Sequence, residues 1–460
     1  MESHDQVPPP DRNAEPKDRL NIVYIIFYVL GIGSLLPWNF FITAKDYFEF
    51  KLRNTSVPEK DYKDTRFQTE YQLIFESSIA VASMVPNLIF NFVTALCTQR
   101  LPLKFRMTVS TMIVLIMFIL TVIFAKDKNT IHWQSGFYAF TIVSVVILNA
   151  CSSVFTTSLF GLAGVLPHRY MQASMSGQAV GGIFAAVANL ITIAVGTDVS
   201  ESAFIFFLIA TGWTLITMLG YLSLYSNEFS RYYLNKQANK ATETVTVGGD
   251  KSVNNSYSYE DENEKEPLIK DDVISESVEL KPFSYHHDVF KKIWVEGISV
   301  CLVFLVTLAC FPALASSIQS CNSGDWRLKY FTPVICFLLY NVGDWTGRSF
   351  TGIVHFPRPN QTKLMLTLSV IRFVFIPLLM FCNVMPRHNT TLVFSSDMYP
   401  LVFIILLGIS NGYLSTLCVM YGPKKVFPQY AEFTGATMSV CMTVGLALGS
   451  LFGLLLVKIV

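Results

Sequence analysis

Apolar runs, each closed by a polar stretch, follow one another from residue 21 almost to the C-terminus. About 20 apolar residues carry a helix across the hydrocarbon core of a bilayer. The runs at 21–43, 71–95, 106–125, 137–166, 174–196, 202–226, 293–318, 329–355, 363–383, 398–420 and 433–457 therefore predict eleven membrane-spanning helices. An odd number places the two ends of the chain on opposite sides. The long interruption, from "NEFSRYYLNKQANK" to "DENEKEPLIKDD", is rich in Lys, Glu, Asp, Ser and Asn and too poor in apolar residues to build a core. It divides the chain into a cytosolic tail (1–20), six helices (21–226), a cytosolic disordered loop (227–292) and five helices (293–460).

Composition agrees with an all-α polytopic membrane protein. Of 460 residues, 52% are hydrophobic and 15% charged, against roughly 25% charged in a soluble domain. The net charge of +1 supplies no field for nucleic acid. Nine cysteines lie mostly singly in apolar runs, without the paired spacing of a metal or redox motif, and read as packing residues. The first twenty residues are polar and the apolar run after them lacks a small-residue cleavage site, which argues against a cleaved signal peptide. Arg100, Lys104, Arg106, Arg169, Arg231, Lys291, Lys292, Lys363, Lys424 and Lys425 fall on one side, so the N-terminus is expected in the cytosol. The first outer loop opposes this with Lys45, Lys51, Arg53, Lys60, Lys63 and Arg66, accompanied by acids.

Charge inside a span costs at least a few kcal/mol, which marks "NVGDWTGRS" as a candidate site. Phe337, Asn341, Asp344 and Arg348 follow i, i+4, i+7, i+11 and share one helical face. Their aromatic plane, amide, carboxylate and guanidinium suit a neutral ligand with adjacent hydroxyls and a flat heterocycle. A structural ion pair that neutralises itself and pins two helices is the competing reading. Pro37 precedes Trp38 and Asn39, where a bend would turn them toward a central cavity; an interfacial tryptophan is the alternative. Phe311 and Pro312 in "CFPAL" suit an outer gate, and Arg106 with Glu432 an inner latch, unless those two charges are simply solvated. No phosphate-binding GxxxxGK[ST] loop is present, so ATP drive has no support. Gly, Pro, Ser and Asn within several spans favour close helix approach and bending.

The segments "GIGSLLPWNFFITA", "SLFGLAGVLP", "MSGQAVGG", "DWTGRS", "SNGYLSTL" and "YGPKKV" resemble the equilibrative nucleoside transporters, from about residue 18 to the C-terminus. The resemblance implies eleven helices in a six-plus-five arrangement like the major facilitator superfamily, and passive nucleoside exchange by alternating access without a cofactor. It implies that Asp344 and Arg348 contact the ribose and nearby substrate atoms, and that Leu35, Trp38, Ile42 and Met84 line the cavity. Where plasma-membrane relatives carry glutamine, this chain has Thr156 and Thr157; Thr156 is counted among the substrate-contacting candidates. The chain looks most like the endolysosomal branch, which exports nucleosides from an acidic lumen. Glu264, Leu268 and Ile269 in "EKEPLI" match [DE]xxxL[LI], a signal read by clathrin adaptors. Lysosomal or late endosomal membranes are thus the expected location, with the plasma membrane as the alternative. A proton-coupled nucleoside transporter and a receptor or scaffold without transport are the rival functions. His132, His388 and Asp198 are the luminal titratable candidates.

Four sequons test this topology. Asn54 and Asn389 lie on the luminal side and should carry glycan, whereas Asn254 and Asn360 lie in the cytosol and should stay bare. Gel mobility should change in Asn54→Gln and Asn389→Gln only; a shift confined to Asn254→Gln would invert the chain.

Overall fold

The computed structural model describes residues 16–55, 69–98, 100–126, 130, 133–195, 199–236, 282–322, 324, 326–385, 387 and 391–459. Glu264, Leu268 and Ile269, the sequon residues Asn254 and Asn389, and His132, Asp198 and His388 lie outside them. Within the described residues the fold is helical, apart from an isolated bridge between Ile318 and Val384. The first half holds α1 (Ile22–Thr43), the short α2 (Lys45–Lys51), α3 (Glu70–Leu96), α4 (Leu103–Lys126), α5 (Gln134–Val165), α6 (His168–Val195) and α7 (Val199–Leu224). The second holds α8 (Pro282–Cys310), α9 (Leu339–Phe350), α10 (Thr362–Ile371), α11 (Phe375–Met380), α12 (Met398–Lys424) and α13 (Ala431–Ile459).

Local chemistry explains where these helices begin. Thr69 and Gln72 form a reciprocal capping box at the start of α3: the Gln72 amide donates to Thr69 Oγ1 at 3.2 Å and Thr69 N donates to Gln72 Oε1 at 2.9 Å. Asp18 accepts from the Val23 and Tyr24 amides at 3.1 Å each, so the first turn of α1 has its donors satisfied. Inside the spans, hydroxyls return to the carbonyl four residues back, as Thr111, Thr121 and Thr141 do at 2.8 Å. A hydroxyl bonded in this way can sit in hydrocarbon without an unsatisfied donor.

Ten helices among the described residues are long and apolar enough to cross a membrane. The eighth predicted span, 329–355, is not one of them. Its helical path starts in wide π-type turns at Trp326–Tyr330 and Thr332–Leu338, and only Leu339–Phe350 is regular α-helix. Pro333 lacks an amide donor there, and the segment that follows carries Asn341, Asp344 and Arg348, which lower its hydropathy. Wide turns of this kind occur often at functional sites. The ninth predicted span is broken as well, by a 3-10 turn at Arg372–Val374 between α10 and α11.

Packing follows a repeat. In the first half α1 runs along α6 and α3 along α5; in the second, α8 runs along α13 and α9 along α12. Counting by predicted span, the pairs are first with fifth and second with fourth, then seventh with eleventh and eighth with tenth. Three apolar clusters record how the halves meet. One draws on both halves through residues such as Val23, Met107, Leu159, Tyr170, Val300, Leu417 and Phe433. A second, with Phe41, Phe48, Phe118 and Phe207, comes from the first half alone. The third, with Val306, Leu314, Ile335 and Leu407, comes from the second half alone. The shared core gathers the starts of α1, α4, α6 and α13 and the ends of α5 and α12.

Glycine permits the closest crossing. A Cβ at Gly412 of α12 would stand 2.0 Å from the Asp344 carbonyl oxygen, and one at Gly347 of α9 would stand 2.1 Å from the Ile409 carbonyl oxygen. These obstacles are backbone and cannot rotate away. Gly412→Ala should therefore separate α9 from α12 and cost at least ~1–3 kcal/mol, as overpacking does. Gly212→Ala, where a Cβ meets nothing within 4 Å inside α7, should not lower stability. Melting curves of the two purified variants in detergent check the contrast, and equal midpoints would contradict it.

Candidate functional site

Asp344 and Arg348 sit one turn apart on α9, each 4% exposed. The guanidinium Nε donates to Asp344 Oδ2 at 2.9 Å. Asn411 Nδ2 of α12 donates to the other carboxylate oxygen, Oδ1, at 2.7 Å. This short reach exists because Gly408 and Gly412 let α12 lie against α9. Arg348 Nη1 crosses to the first half of the chain, donating to the Met175 carbonyl at 2.8 Å and to Gln178 Oε1 at 3.3 Å, both on α6. Gln178 Nε2 in turn donates to Ser34 Oγ of α1 at 3.1 Å. The ion pair thus neutralises itself within one helix, while the guanidinium links two. Arg348 Nη2 donates to none of the described residues.

The rest of the predicted stripe keeps its helical spacing despite the wide turns. Asn341 Nδ2 donates to the Phe337 carbonyl at 2.8 Å, and a Cβ at Gly182 of α6 would stand 2.2 Å from Asn341 Oδ1. The Phe337 ring meets Phe311 edge-on at 5.6 Å between centroids, and Phe311 stacks on Tyr340 at 3.9 Å. Phe311 is therefore held by its own half, with Pro312 exposed beside it. Leu35, Trp38 and Met84 are half-buried, whereas Ile42 lies in α1 with its side chain outside the described set. Asn54 is exposed just after α2.

A second polar junction occupies the corresponding place in the repeat. Asn91 of α3 accepts through Oδ1 from Thr157 of α5 and, at 3.1 Å, from Ser439 Oγ of α13. Its Nδ2 donates to the carbonyl and side-chain oxygens of Asn87 at 3.0 and 2.6 Å. One junction joins the eighth and tenth spans to the fifth; the other joins the second and fourth to the eleventh. The first is charged and the second neutral. Thr156 is 7% exposed, but its neighbour Thr157, about 100° further round the helix, makes the bond. The i, i+4 asparagines in "PNLIFN" were a legible sign of this junction that sequence reasoning passed over.

Arg106 and Glu432 do meet. Arg106 Nη2 pairs with Glu432 Oε1, Nη1 donates to Ser158 Oγ at 3.1 Å and Nε to the Leu101 carbonyl at 3.1 Å. The pair ties α4 to α13, across the halves. Two further charged residues, Glu296 and Arg372, were missed in the sequence. Lys425 pairs with Glu296 between α12 and α8, and Arg372 is buried in the ninth predicted span. Among the described residues no three His, Cys, Asp or Glu side chains gather as metal ligands.

Comparison with known proteins now adds to this geometry. The family described as "Nucleoside transporter" matches residues 142–458. Equilibrative nucleoside transporter 3 of Rattus norvegicus is 39% identical over 445 residues, covering 95% of this chain and 88% of its own. Equilibrative nucleoside transporter 1 of Homo sapiens is 35% identical over 465 residues, covering 97% and 99%. Among solved structures, the proton:xylose symporter XylE of the major facilitator superfamily aligns with a TM-score of 0.57 at 10% identity, over 93% of this chain and 87% of that one. The human organic anion transporter MFSD10 aligns at 0.53 and 10% identity, over 96% and 95%. At that identity the likeness is one of fold.

Arg106→Gln should loosen the seam between α4 and α13, because it removes the ion pair that ties them. A cysteine placed at Ser439 should become more reactive toward a water-soluble thiol reagent, by the ~10-fold that about 1.4 kcal/mol represents. Unchanged labelling would show that the pair does not hold the seam.

Proposed function

The chain belongs to the equilibrative nucleoside transporter family, and on that premise we propose that it is a facilitative carrier of nucleosides working by alternating access. The observation that carries the reading is the buried network of Asp344, Arg348 and Asn411, which is built on one half and reaches α6 of the other. A shared apolar core at the cytosolic end alone supports an outward-facing arrangement, in which ligand reaches the site from the lumen. The ribose supplies adjacent hydroxyls, and a carboxylate is acceptor-only, so Asp344 can take both protons. Arg348 Nη2 is the remaining donor toward a substrate oxygen or ring nitrogen. Phe337 offers a flat face to the base, while Asn341, Leu35, Trp38, Ile42, Met84 and Thr156 complete the proposed lining.

Opening toward the cytosol has to part contacts between the halves that include Arg106 with Glu432, Arg348 with Met175 and Gln178, Asn91 with Ser439, and Trp345 with Tyr28. A bound nucleoside lowers that barrier by giving Arg348 and Asp344 a new partner at the moment the old ones leave. A ligand shifts an equilibrium only through its differential affinity for the two states, and here that difference comes from the charged junction. No step consumes ATP or moves a proton with the substrate. We place the carrier in lysosomal or late endosomal membranes, releasing nucleosides to the cytosol. Glu264, Leu268 and Ile269 supply the sorting signal for a clathrin adaptor, Asn54 and Asn389 carry luminal glycan, and Phe311 with Pro312 forms the outer gate.

Radiolabelled adenosine uptake into proteoliposomes tests the function. Flux should reach equal concentrations on the two sides, and Asp344→Asn should lower it by at least ~10-fold, given what breaking a buried charged hydrogen bond costs. Accumulation above the outside concentration, abolished by a protonophore, would identify a proton-coupled pump; no flux at all would identify a receptor or scaffold. Changing Leu268 and Ile269 to Ala should move the protein to the cell surface, and its retention in lysosomes would reject the signal.

A further inference from the structure

Arg372 stands in the 3-10 turn Arg372–Val374 between α10 and α11 and is 2% exposed. Its hydrogen-bond partners include no carboxylate. Nε donates to Ser410 Oγ at 3.1 Å, Nη1 to the Val303 carbonyl, and Nη2 to Thr307 Oγ1 at 2.8 Å and the Leu407 carbonyl at 3.3 Å. A guanidinium buried at this depth is costly, and two of its partners, Thr307 on α8 and Ser410 on α12, flank the residue that holds Asp344. Thr307 Oγ1 lies 2.7 Å from Asn411 Oδ1, and Asn411 Nδ2 lies 2.7 Å from Asp344 Oδ1.

We propose that Arg372 is a positioning residue for substrate recognition, acting through Thr307 and Asn411 to aim the Asp344 carboxylate. The proposal rests on the reading of Asp344 as the ribose acceptor. Its physical basis is the one-way polarity of the chain of bonds. A guanidinium only donates and an ionised carboxylate only accepts, so each group between them has a fixed sense. Asn411 must turn its nitrogen to Asp344, which leaves its oxygen facing Thr307 and in need of a donor.

Thr307 has another use for its proton, since the Val303 carbonyl one turn back is also within reach at 2.8 Å. Arg372 resolves that competition. Nη1 occupies the Val303 carbonyl, and Nη2 fills a lone pair of the Thr307 oxygen, so the hydroxyl proton is directed to Asn411. Without Arg372, Thr307 returns to Val303, Asn411 loses the donor that fixes its amide, and Asp344 Oδ1 loses its orientation. The carboxylate then no longer points where two ribose hydroxyls meet it.

Thr307→Val tests this with almost no change in shape. In proteoliposomes it should raise the KM for adenosine by ~10-fold, the loss of a hydrogen bond that feeds a charged group, while maximal flux per folded carrier stays within about twofold. Thr307→Ser, which keeps the hydroxyl, should retain the wild-type KM. Arg372→Gln should raise KM in the wild-type background and have no further effect on KM in the Thr307→Val background, because both break the same relay. A purely structural role would lower the amount and melting temperature of folded carrier in Arg372→Gln without moving KM in Thr307→Val. That outcome, or additive effects of the two substitutions on KM, overturns the relay. Absence of nucleoside flux in the wild type is a different failure: it overturns the transport reading itself, and the positioning role with it.

Discussion

A bilayer offers no water to a polar group, so every charge and amide within it has to find its partner in the protein. That constraint organises this structure. The carboxylate of Asp344 has its two oxygens served by Arg348 and Asn411. The charge of Arg348 is shared with a backbone carbonyl and a glutamine of the opposite half. Removing one member strands another in low dielectric, where an unpaired buried charge is strongly destabilising. The networks are therefore cooperative, and they determine how closely the helices must approach.

Glycine is the means of that approach. An amide on α12 reaches a carboxylate on α9 only because Gly343, Gly347, Gly408 and Gly412 remove side chains from the crossing. The same device recurs elsewhere: a Cβ at Gly177 would stand 2.1 Å from the Tyr28 carbonyl oxygen, and one at Gly445 2.3 Å from that of Cys301. These contacts lie between the first and fifth predicted spans and between the seventh and eleventh. Within each half the helices are thus locked backbone to backbone, as small residues allow in membrane interiors. A backbone contact of the same kind also joins the halves, where a Cβ at Gly435 of α13 would stand 2.2 Å from the Phe160 carbonyl oxygen of α5, and side chains make the polar ties beside it.

The two junctions between halves are related by the repeat yet differ in charge. Asn91 can part from Ser439 at the cost of one neutral hydrogen bond, roughly 0.5–1.5 kcal/mol, while its bond with Thr157 stays within the first half. Arg348 with Met175 and Gln178 involves a full charge and resists separation unless a ligand replaces what is lost. An asymmetric pair of this kind makes one junction the ligand-sensitive element and leaves the other as a weak seam.

Hydropathy alone determined the membrane class, the helical fold and the approximate path of the spans, because a span must be long and apolar whatever its neighbours are. Charge in an apolar run also singled out Asp344 and Arg348, since ionisable groups there are expensive whatever their role. Tertiary structure decided what those groups touch. One-dimensional spacing placed Asp344 and Arg348 on a face, but Asn411, Met175 and Gln178 come from helices far away in the chain. Arg106 and Glu432 were separately legible as a latch or as solvated ends, and only packing brought them together. Arg372 and Glu296 were visible as polar residues in or beside apolar runs and carried no spacing signal, because their partners are backbone carbonyls, hydroxyls and one distant lysine. The irregular start of the eighth span escaped a periodic reading for the same reason. Periodicity describes how a helix faces its surroundings, and the surroundings exist only once the other helices are in place.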